Sequence, residues 1–180
     1  MIFLNTRTNG TAYRSQVFTL YHQSFPEIEK KPDDTLEFLE NQGKIEILAL
    51  VDEEEFIGMA IHMITDHMAL LDYFAISPQK QGQGYGSRAI CSLLERFRNK
   101  QYIIEIEIQN AESEDAEIRK RRKAFYLRNG LKETGIFVNV YYTDLELLTP
   151  NGNLTYEEYV GMLTAILGKK GVHMLSPRLI

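Results

Sequence analysis

The chain has a single cysteine, Cys91, among its 180 residues, so no disulfide can form within it. That fits a reducing compartment. Cys91 falls within an apolar helical stripe, where a thiol is expected as a small buried hydrophobe. No uninterrupted apolar run approaches the ~20 residues needed to span a bilayer. The opening residues, MIFLNTRTNG, lack the basic start and long apolar core of a signal peptide. A soluble, cytoplasmic protein with no membrane partner is expected. There is no surplus of positive charge either: the net charge is −5. A nucleic-acid binder needs a basic surface to displace counterions, so nucleic acid is not the expected partner. An acidic chain is compatible with a cationic substrate such as an amine. The four histidines, His22, His62, His67 and His173, show no metal-ligand spacing, and no metal is implied. His62, alone in an apolar strand, is expected to be structural.

What is present is ordinary globular material, 44% hydrophobic and 25% charged, enough for a buried core without staples. Met1–Thr6 reads as a first strand ended by the turn pair Asn9-Gly10. Tyr13, Val17, Leu20, Tyr21 and Phe25 recur at helical spacing up to Pro26. Pro32 opens a second helix, with Asp34 and Glu37 three apart as in an N-terminal capping arrangement. Ile45–Val51 and Phe56–Met63 read as strands joined by the acidic turn Asp52–Glu55, and Met68–Ile76 as a third. Ser87–Asn99 is amphipathic, with Ile90, Leu93, Leu94 and Phe97 on its apolar stripe. Tyr102–Gln109 alternates strictly: Ile104, Ile106 and Ile108 face one way, Ile103, Glu105, Glu107 and Gln109 the other. Ala111–Arg128 is charged and helical, stopped at Asn129-Gly130. Ile136–Tyr142 and Leu145–Leu148 suggest a closing hairpin. Thr155 and Glu158 make a capping box for a last helix. One α/β domain over residues 1–180 is expected, with 151–180 a C-terminal helical extension. Tyr156 and Tyr159 of that helix are assigned either to the sheet or to a second subunit, which leaves a homodimer open.

The informative stretch runs from Leu71 to Gly86, where a strand enters a loop with Gly82, Gly84 and Gly86 and a helix follows at once. Glycines admit φ > 0 and let backbone N–H groups approach a ligand without an intervening Cβ. The helix N-terminus adds orphan donors and the positive end of its dipole. Strand, loop and helix in this order make an anion site suited to a diphosphate. A P-loop would place a lysine before Ser87, and the glycine spacing is not that of a Rossmann fingerprint. A surface turn is the plain alternative.

Gln81-Gly82-Gln83-Gly84-Tyr85-Gly86 resembles the Q/R-x-x-G-x-G/A acetyl-CoA loop of the Gcn5-related N-acetyltransferases, the GNAT proteins. Phe74-Ala75-Ile76-Ser77-Pro78 is similar to the splayed strand end that precedes that loop in the family. Phe125-Tyr126-Leu127-Arg128-Asn129-Gly130-Leu131 resembles its late FYxxxGF signature. The resemblance covers roughly residues 10–145. It implies a GNAT-like fold: a mixed, mostly antiparallel sheet flanked by helices, with central strands that part for the cofactor. It further implies acetyl-CoA as cosubstrate, with the amides of Gln81, Gly82, Gln83, Gly84, Tyr85 and Gly86 on the pyrophosphate and Ser87 at the helix start. The backbones of Phe74, Ala75 and Ile76 would pair with the pantetheine arm like an added strand. Asn110 resembles an asparagine that many members carry after this strand, although the segment Ala111–Glu117 lengthens the connection to the next helix. Lys80, Arg88 and the basic run Arg119–Lys123 are candidates for the 3′-phosphate. The plainer reading of that run is a solvated face paired with Glu112, Glu114 and Asp115.

Acetyl transfer needs a neutral amine, a polarised thioester carbonyl and a proton for the departing thiolate. By position in the motif, Tyr126 matches the family's acid. The N–H of Ile76 is a candidate to polarise the carbonyl. Glu105 and Glu107, two carboxylates on one face of a central strand, are candidates for the base or for binding a cationic acceptor, against a plain solvent-exposed face. Asp72 is a further candidate. The expected reaction is direct attack of an amine, of unidentified kind, on acetyl-CoA in a ternary complex. Two alternatives stand beside it: a non-catalytic acyl-CoA-binding sensor or interaction module of the same fold, and a nucleotide-binding protein.

Overall fold

The computed structural model describes residues 1–110 and 115–180. Among the described residues the fold is α/β, with mixed, mostly antiparallel strands and five α-helices, as expected. The chain packs as two compact units: Met1–Ile64 with Leu71–Leu93, and Thr65–Leu70 with Leu94–Ile180.

The first unit starts with β1 (Ile2–Asn5), antiparallel to β2 (Ile45–Asp52), which pairs in turn with β3 (Glu55–Ile64). Next in strand order is β4 (Met68–Ile76), whose residues from Leu71 onward belong to this unit. Ile47, Leu48, Ala49 and Leu50 are all inaccessible. Both faces of β2 are therefore covered, which explains why its sequence is a continuous apolar run rather than an alternation. The β2–β3 turn is just Glu53-Glu54, at φ 49° and 66°. A two-residue hairpin whose twist suits its strands needs positive φ at both positions, and here two glutamates adopt it without glycine. Val17, Leu20 and Tyr21 of α1 (Arg14–Ser24) and Leu36 and Leu39 of α2 (Asp33–Asn41) enter the core. The capping expected of Asp34 is not formed: Pro32 is the cap residue of α2 and no side chain bonds the helix start. A proline at that position lacks a side-chain acceptor, and Asp34 already lies inside the first turn.

In the second unit, Met68–Leu70 of β4 precede β5 (Gln101–Glu107), β7 (Thr143–Thr149), β6 (Lys132–Val140) and the two-residue β8 (Arg178–Leu179) in strand order. The β5–β7, β6–β7 and β6–β8 pairs are antiparallel. The β6–β7 hairpin turns on Tyr141 and Tyr142, again at positive φ (46° and 68°). The capping box of α5 (Tyr156–Leu175) forms as read: the Glu158 N–H donates to Thr155 Oγ1 at 3.2 Å and the Thr155 N–H donates to Glu158 Oε2 at 2.8 Å. Gly168, at φ 72° and ψ 170°, kinks this helix. The expected extension is thus not wholly helical, since β8 joins the edge of β6 beyond it. Helix α4 spans Ala116–Arg128; the earlier start expected at Ala111 falls on residues 111–114, outside the described ones, as do Glu112 and Glu114 as partners of the basic run.

Candidate active site

Strand β4 ends at Ile76, where the Ser77 N–H donates to the Ile57 carbonyl at 2.9 Å. Helix α3 (Tyr85–Arg96) begins two residues before the expected Ser87. Between them the chain makes one short 3₁₀ turn and then the glycine loop. Gly82 and Gly84 take φ 72° and 81°, the left-handed region that glycine adopts without strain, and a Cβ on either would meet open space. The requirement at both is therefore conformational rather than steric. Gln81 Nε2 donates to the Ile76 carbonyl at 3.0 Å and Gln83 Nε2 to the Gln79 carbonyl at 2.9 Å, so both glutamine side chains fold back onto the loop. The Arg88 N–H donates to the Gly84 carbonyl at 3.1 Å, which puts the N–H groups of Tyr85, Gly86 and Ser87 at the positive end of the helix ahead of the ladder. Gln81 to Gly84 are exposed, and Tyr85 to Ser87 half-buried. Phe74, Ala75 and Ile76, also half-buried, lead directly into this loop.

The cations beside the loop are already engaged. Lys80 pairs with Glu55, which holds its ammonium above the usual lysine range, and Arg88 lies 3.1 Å from Asp52 and over the Tyr85 ring. Both acids flank the β2–β3 turn. Asp72, a candidate base, is bound by Lys31 at 2.8 Å, and that lysine sits over the Tyr73 ring. The Tyr73 hydroxyl donates to the Glu29 carbonyl at 2.7 Å, and burial pushes this phenol up. Lys31, Tyr73 and Glu29 form a clasp between β4 and the α1–α2 connection. Nothing in the spacing of those residues signals it.

In the second unit α4 carries Tyr126, 8% exposed, whose phenol burial pushes up to about 12 although Arg122 pulls the other way. The helix stops as expected: the Asn129 N–H reaches the Tyr126 carbonyl, Gly130 follows at φ 97°, and the Leu131 N–H returns to the Tyr126 carbonyl at 3.2 Å. The two glutamates of β5 are claimed by different helices. Glu105 accepts a hydrogen bond from the Tyr159 hydroxyl of α5 at 2.6 Å, whereas Glu107 pairs with Arg122 and stands 3.9 Å from Arg119 Nη2 on α4. Arg119 also pairs with Asp115 at 2.9 Å, and Lys123 holds both oxygens of buried Glu146 at 2.9 and 2.8 Å. Arg119, Arg122 and Lys123 of the basic run are thus ion-paired; of the partners expected for it only Asp115 lies among the described residues, and Glu107, Glu133 and Glu146 are the others. Asn110 lies exposed just beyond β5. Tyr156 and Tyr159 both find partners within the chain, since the Tyr156 hydroxyl donates to the Pro177 carbonyl at 2.7 Å.

One expectation is reversed. Cys91 is exposed rather than buried. The inner stripe of α3 is Ala89, Ile90 and Leu93, continued by Phe97 just past its end, and one residue past Ile90 turns about 100° away from it. His62 is fully buried in β3. Among the described residues no group of three or more His, Cys, Asp and Glu side chains could share a metal, and no helix is long and apolar enough to cross a membrane.

A family model described as the acetyltransferase (GNAT) family matches residues 14–130, and the chain belongs to that family. Its fold is that of a Bacteroides thetaiotaomicron protein assigned to the GNAT acetyltransferases, at TM-score 0.77 and 24% identity over 93% of this chain and 99% of that one. It is also similar to an aminoglycoside 6′-N-acetyltransferase complexed with coenzyme A (TM-score 0.61, 16% identity, 83% and 96% covered). A third likeness is to the ribosomal-protein-S18-alanine N-acetyltransferase of Escherichia coli (TM-score 0.55, 19% identity, 82% and 91% covered). No curated protein matches.

Proposed function

We propose that this chain is an acetyl-CoA-dependent N-acetyltransferase that moves an acetyl group to a primary amine by direct attack. The observation that carries the reading is the strand, glycine loop and helix start from Phe74 to Ser87. Two left-handed glycines there leave a row of backbone donors ahead of the α3 ladder, with no side chain in the way. The amides of Gly82 to Gly86, with Ser87, hold the pyrophosphate, while the Gln81 N–H, also expected there, donates to the Pro78 carbonyl at 3.4 Å and would have to release it to join them. The Phe74, Ala75 and Ile76 backbone pairs with the pantetheine arm, and Asn110 is assigned to the cofactor by its place in the family pattern.

The proton chemistry is assigned to Glu105, Glu107 and Tyr126. Glu105 or Glu107 takes a proton from the acceptor ammonium, directly or through water. The neutral amine nitrogen then forms a bond to the acetyl carbon, the C–S bond breaks, and the nitrogen's second proton passes to solvent. Tyr126 supplies the proton that converts the leaving thiolate to a thiol, and the solvent restores it. Its raised pKa keeps the phenol protonated at neutral pH. The products balance as an acetamide and free CoA-SH. Two of the similar structures are named for acting on aminoglycosides and on a protein alanine, which makes an amine the acceptor to test first.

The test is thiol release from acetyl-CoA, followed across polyamines, amino sugars, amino acids and peptide N-termini. Amine-dependent release with an acetylated product is expected. Tight acetyl-CoA binding without release across the panel would favour a non-catalytic acyl-CoA-binding module instead.

A further inference from the structure

In the second unit, β6 leaves its regular pairing with β7: the step from Glu133 to Phe137 on β6 spans only Leu148 to Glu146 on β7. Gly135, at φ 74°, and the Thr134 hydroxyl pin this bulge. The hydroxyl donates to the Leu147 carbonyl at 2.8 Å and accepts from the Ile136 N–H at 3.1 Å. Bulges re-aim side chains, and this one sets Phe137 opposite Glu146. Cross-strand partners share a face, so Glu146 and Phe137 form a row across β7 and β6. Ile180, just past β8, continues it, its N–H donating to the Phe137 carbonyl at 3.1 Å. These three residues, with Ile108, Gln109 and Lys123, line a cavity of about 370 Å³. Small-molecule sites run from roughly 300 to 1,000 Å³.

The charges beside this cavity select the sign of an occupant. Every donor of the Lys123 ammonium is taken, by Glu146 Oε1 at 2.9 Å, by Glu146 Oε2 at 2.8 Å and by Glu133 Oε1. An anion therefore finds no free donor there, whereas each carboxylate keeps lone pairs for another cation. Two carboxylates against one ammonium also leave this group with negative charge in excess. The bond from Lys123 holds the Glu133 carboxyl below the usual glutamate range, so it stays charged at neutral pH. The rest of the wall is largely apolar, with Phe137 and Ile180 exposed. A bare metal ion does not suit it: among the described residues no group of three or more His, Cys, Asp and Glu side chains could share one. We propose that this cavity binds a small organic cation, an ammonium group on an apolar alkyl or aryl body. The charge meets Glu146 and Glu133, and the body packs on Phe137, whose ring face also attracts a cation. Neither the cofactor loop nor the proposed proton groups line this cavity.

The test is an NMR titration of the full chain, without acetyl-CoA, using 2-phenylethylammonium as the probe. The neutral 2-phenylethanol and the anionic 3-phenylpropanoate are the matched comparisons. Saturable shifts at Ile108, Phe137 and Ile180 are expected with the amine. The alcohol should bind about tenfold more weakly, since it lacks the charge-assisted bond, and the carboxylate not at all. Glu133→Gln removes the excess charge and leaves the pair of Lys123 with Glu146, and Phe137→Ala removes the aromatic wall. Each should weaken the amine about tenfold. A melting curve checks that each variant is folded, and Phe137→Leu replaces the alanine variant if that one is not. No saturable shift at millimolar amine overturns the proposal. So does equal affinity for amine and alcohol, or amine binding that both variants leave unchanged, which would put the amine elsewhere on the chain. No turnover is involved, so a failure to acetylate any amine counts against the reaction and not against this site.

Discussion

Gly58 on β3 faces the end of β4 so closely that a Cβ on it would lie 2.3 Å from the Ala75 carbonyl oxygen and 3.1 Å from the Ile76 Cα. Both are main-chain atoms and cannot swing aside as a side-chain tip can. Gly58→Ala should therefore push β4 outward at the residues proposed to pair with the pantetheine arm. Overpacking of this kind costs about 1–3 kcal/mol. The expected result is a lower melting temperature together with weaker acetyl-CoA binding by calorimetry. A variant with wild-type affinity would separate the strand end from the cofactor.

Gly84 sets the opposite case, with positive φ and open space where a Cβ would go. Gly84→Ala meets no clash and carries only the left-handed penalty of about 1–2 kcal/mol. That corresponds to a fall in melting temperature of roughly 2–8 °C for a chain of this size. Acetyl-CoA affinity should drop at least tenfold, since the loop either relaxes or crowds the phosphate. An unchanged dissociation constant would show that the loop amides do not touch the ligand.

Lys80 and Arg88 are both paired in the free protein, with Glu55 and Asp52. Exposed pairs of this kind contribute about 0–1 kcal/mol, so a phosphate can displace the acids at small cost. If either cation serves the 3′-phosphate, the double variant Asp52→Asn with Glu55→Gln should tighten acetyl-CoA severalfold. Dephospho-CoA, which lacks that phosphate, should gain nothing. Equal gains for both ligands would place these cations elsewhere on the cofactor.

Burial raises the Tyr126 phenol to about 12 in the fold, against about 10 when exposed. Between those values the unfolded chain loses the proton that the folded one keeps, so stability falls as pH rises through that window. Below pH 10 the proton is available throughout. Activity should therefore show no alkaline limb from this residue before pH 10, while Tyr126→Phe should lower kcat by about 10²-fold with acetyl-CoA affinity intact. Equal kcat in the two proteins would remove Tyr126 from the proton path.

The elements were legible because periodicity is a local property. The continuous apolar run of β2, the alternation of β5 and the Thr155/Glu158 box each appear within a dozen residues. So does the glycine loop, since strand, turn and helix start are adjacent in the chain. What could not be read depends on partners distant in sequence. Glu105 and Tyr159 are 54 residues apart, and Lys31 and Asp72 are 41 apart. The alternation of β5 puts Glu105 and Glu107 on one face, yet only the packed helices show that each is held by a different one. Strand β8 was missed because two residues carry no period, and the exposure of Cys91 because a stripe drawn too wide by one position takes in a solvent-facing residue.

The most direct measurement is the melting temperature with acetyl-CoA, using ATP and NAD as controls. Ligand at about 100-fold over its dissociation constant adds roughly 2.7 kcal/mol, a rise of about 5–10 °C for a domain of this size. That rise is expected with acetyl-CoA and not with the controls, and it should shrink in Gly84→Ala. No rise at millimolar acetyl-CoA would contradict the proposed cofactor site, and the glycines from Gly82 to Gly86 would then be a surface turn.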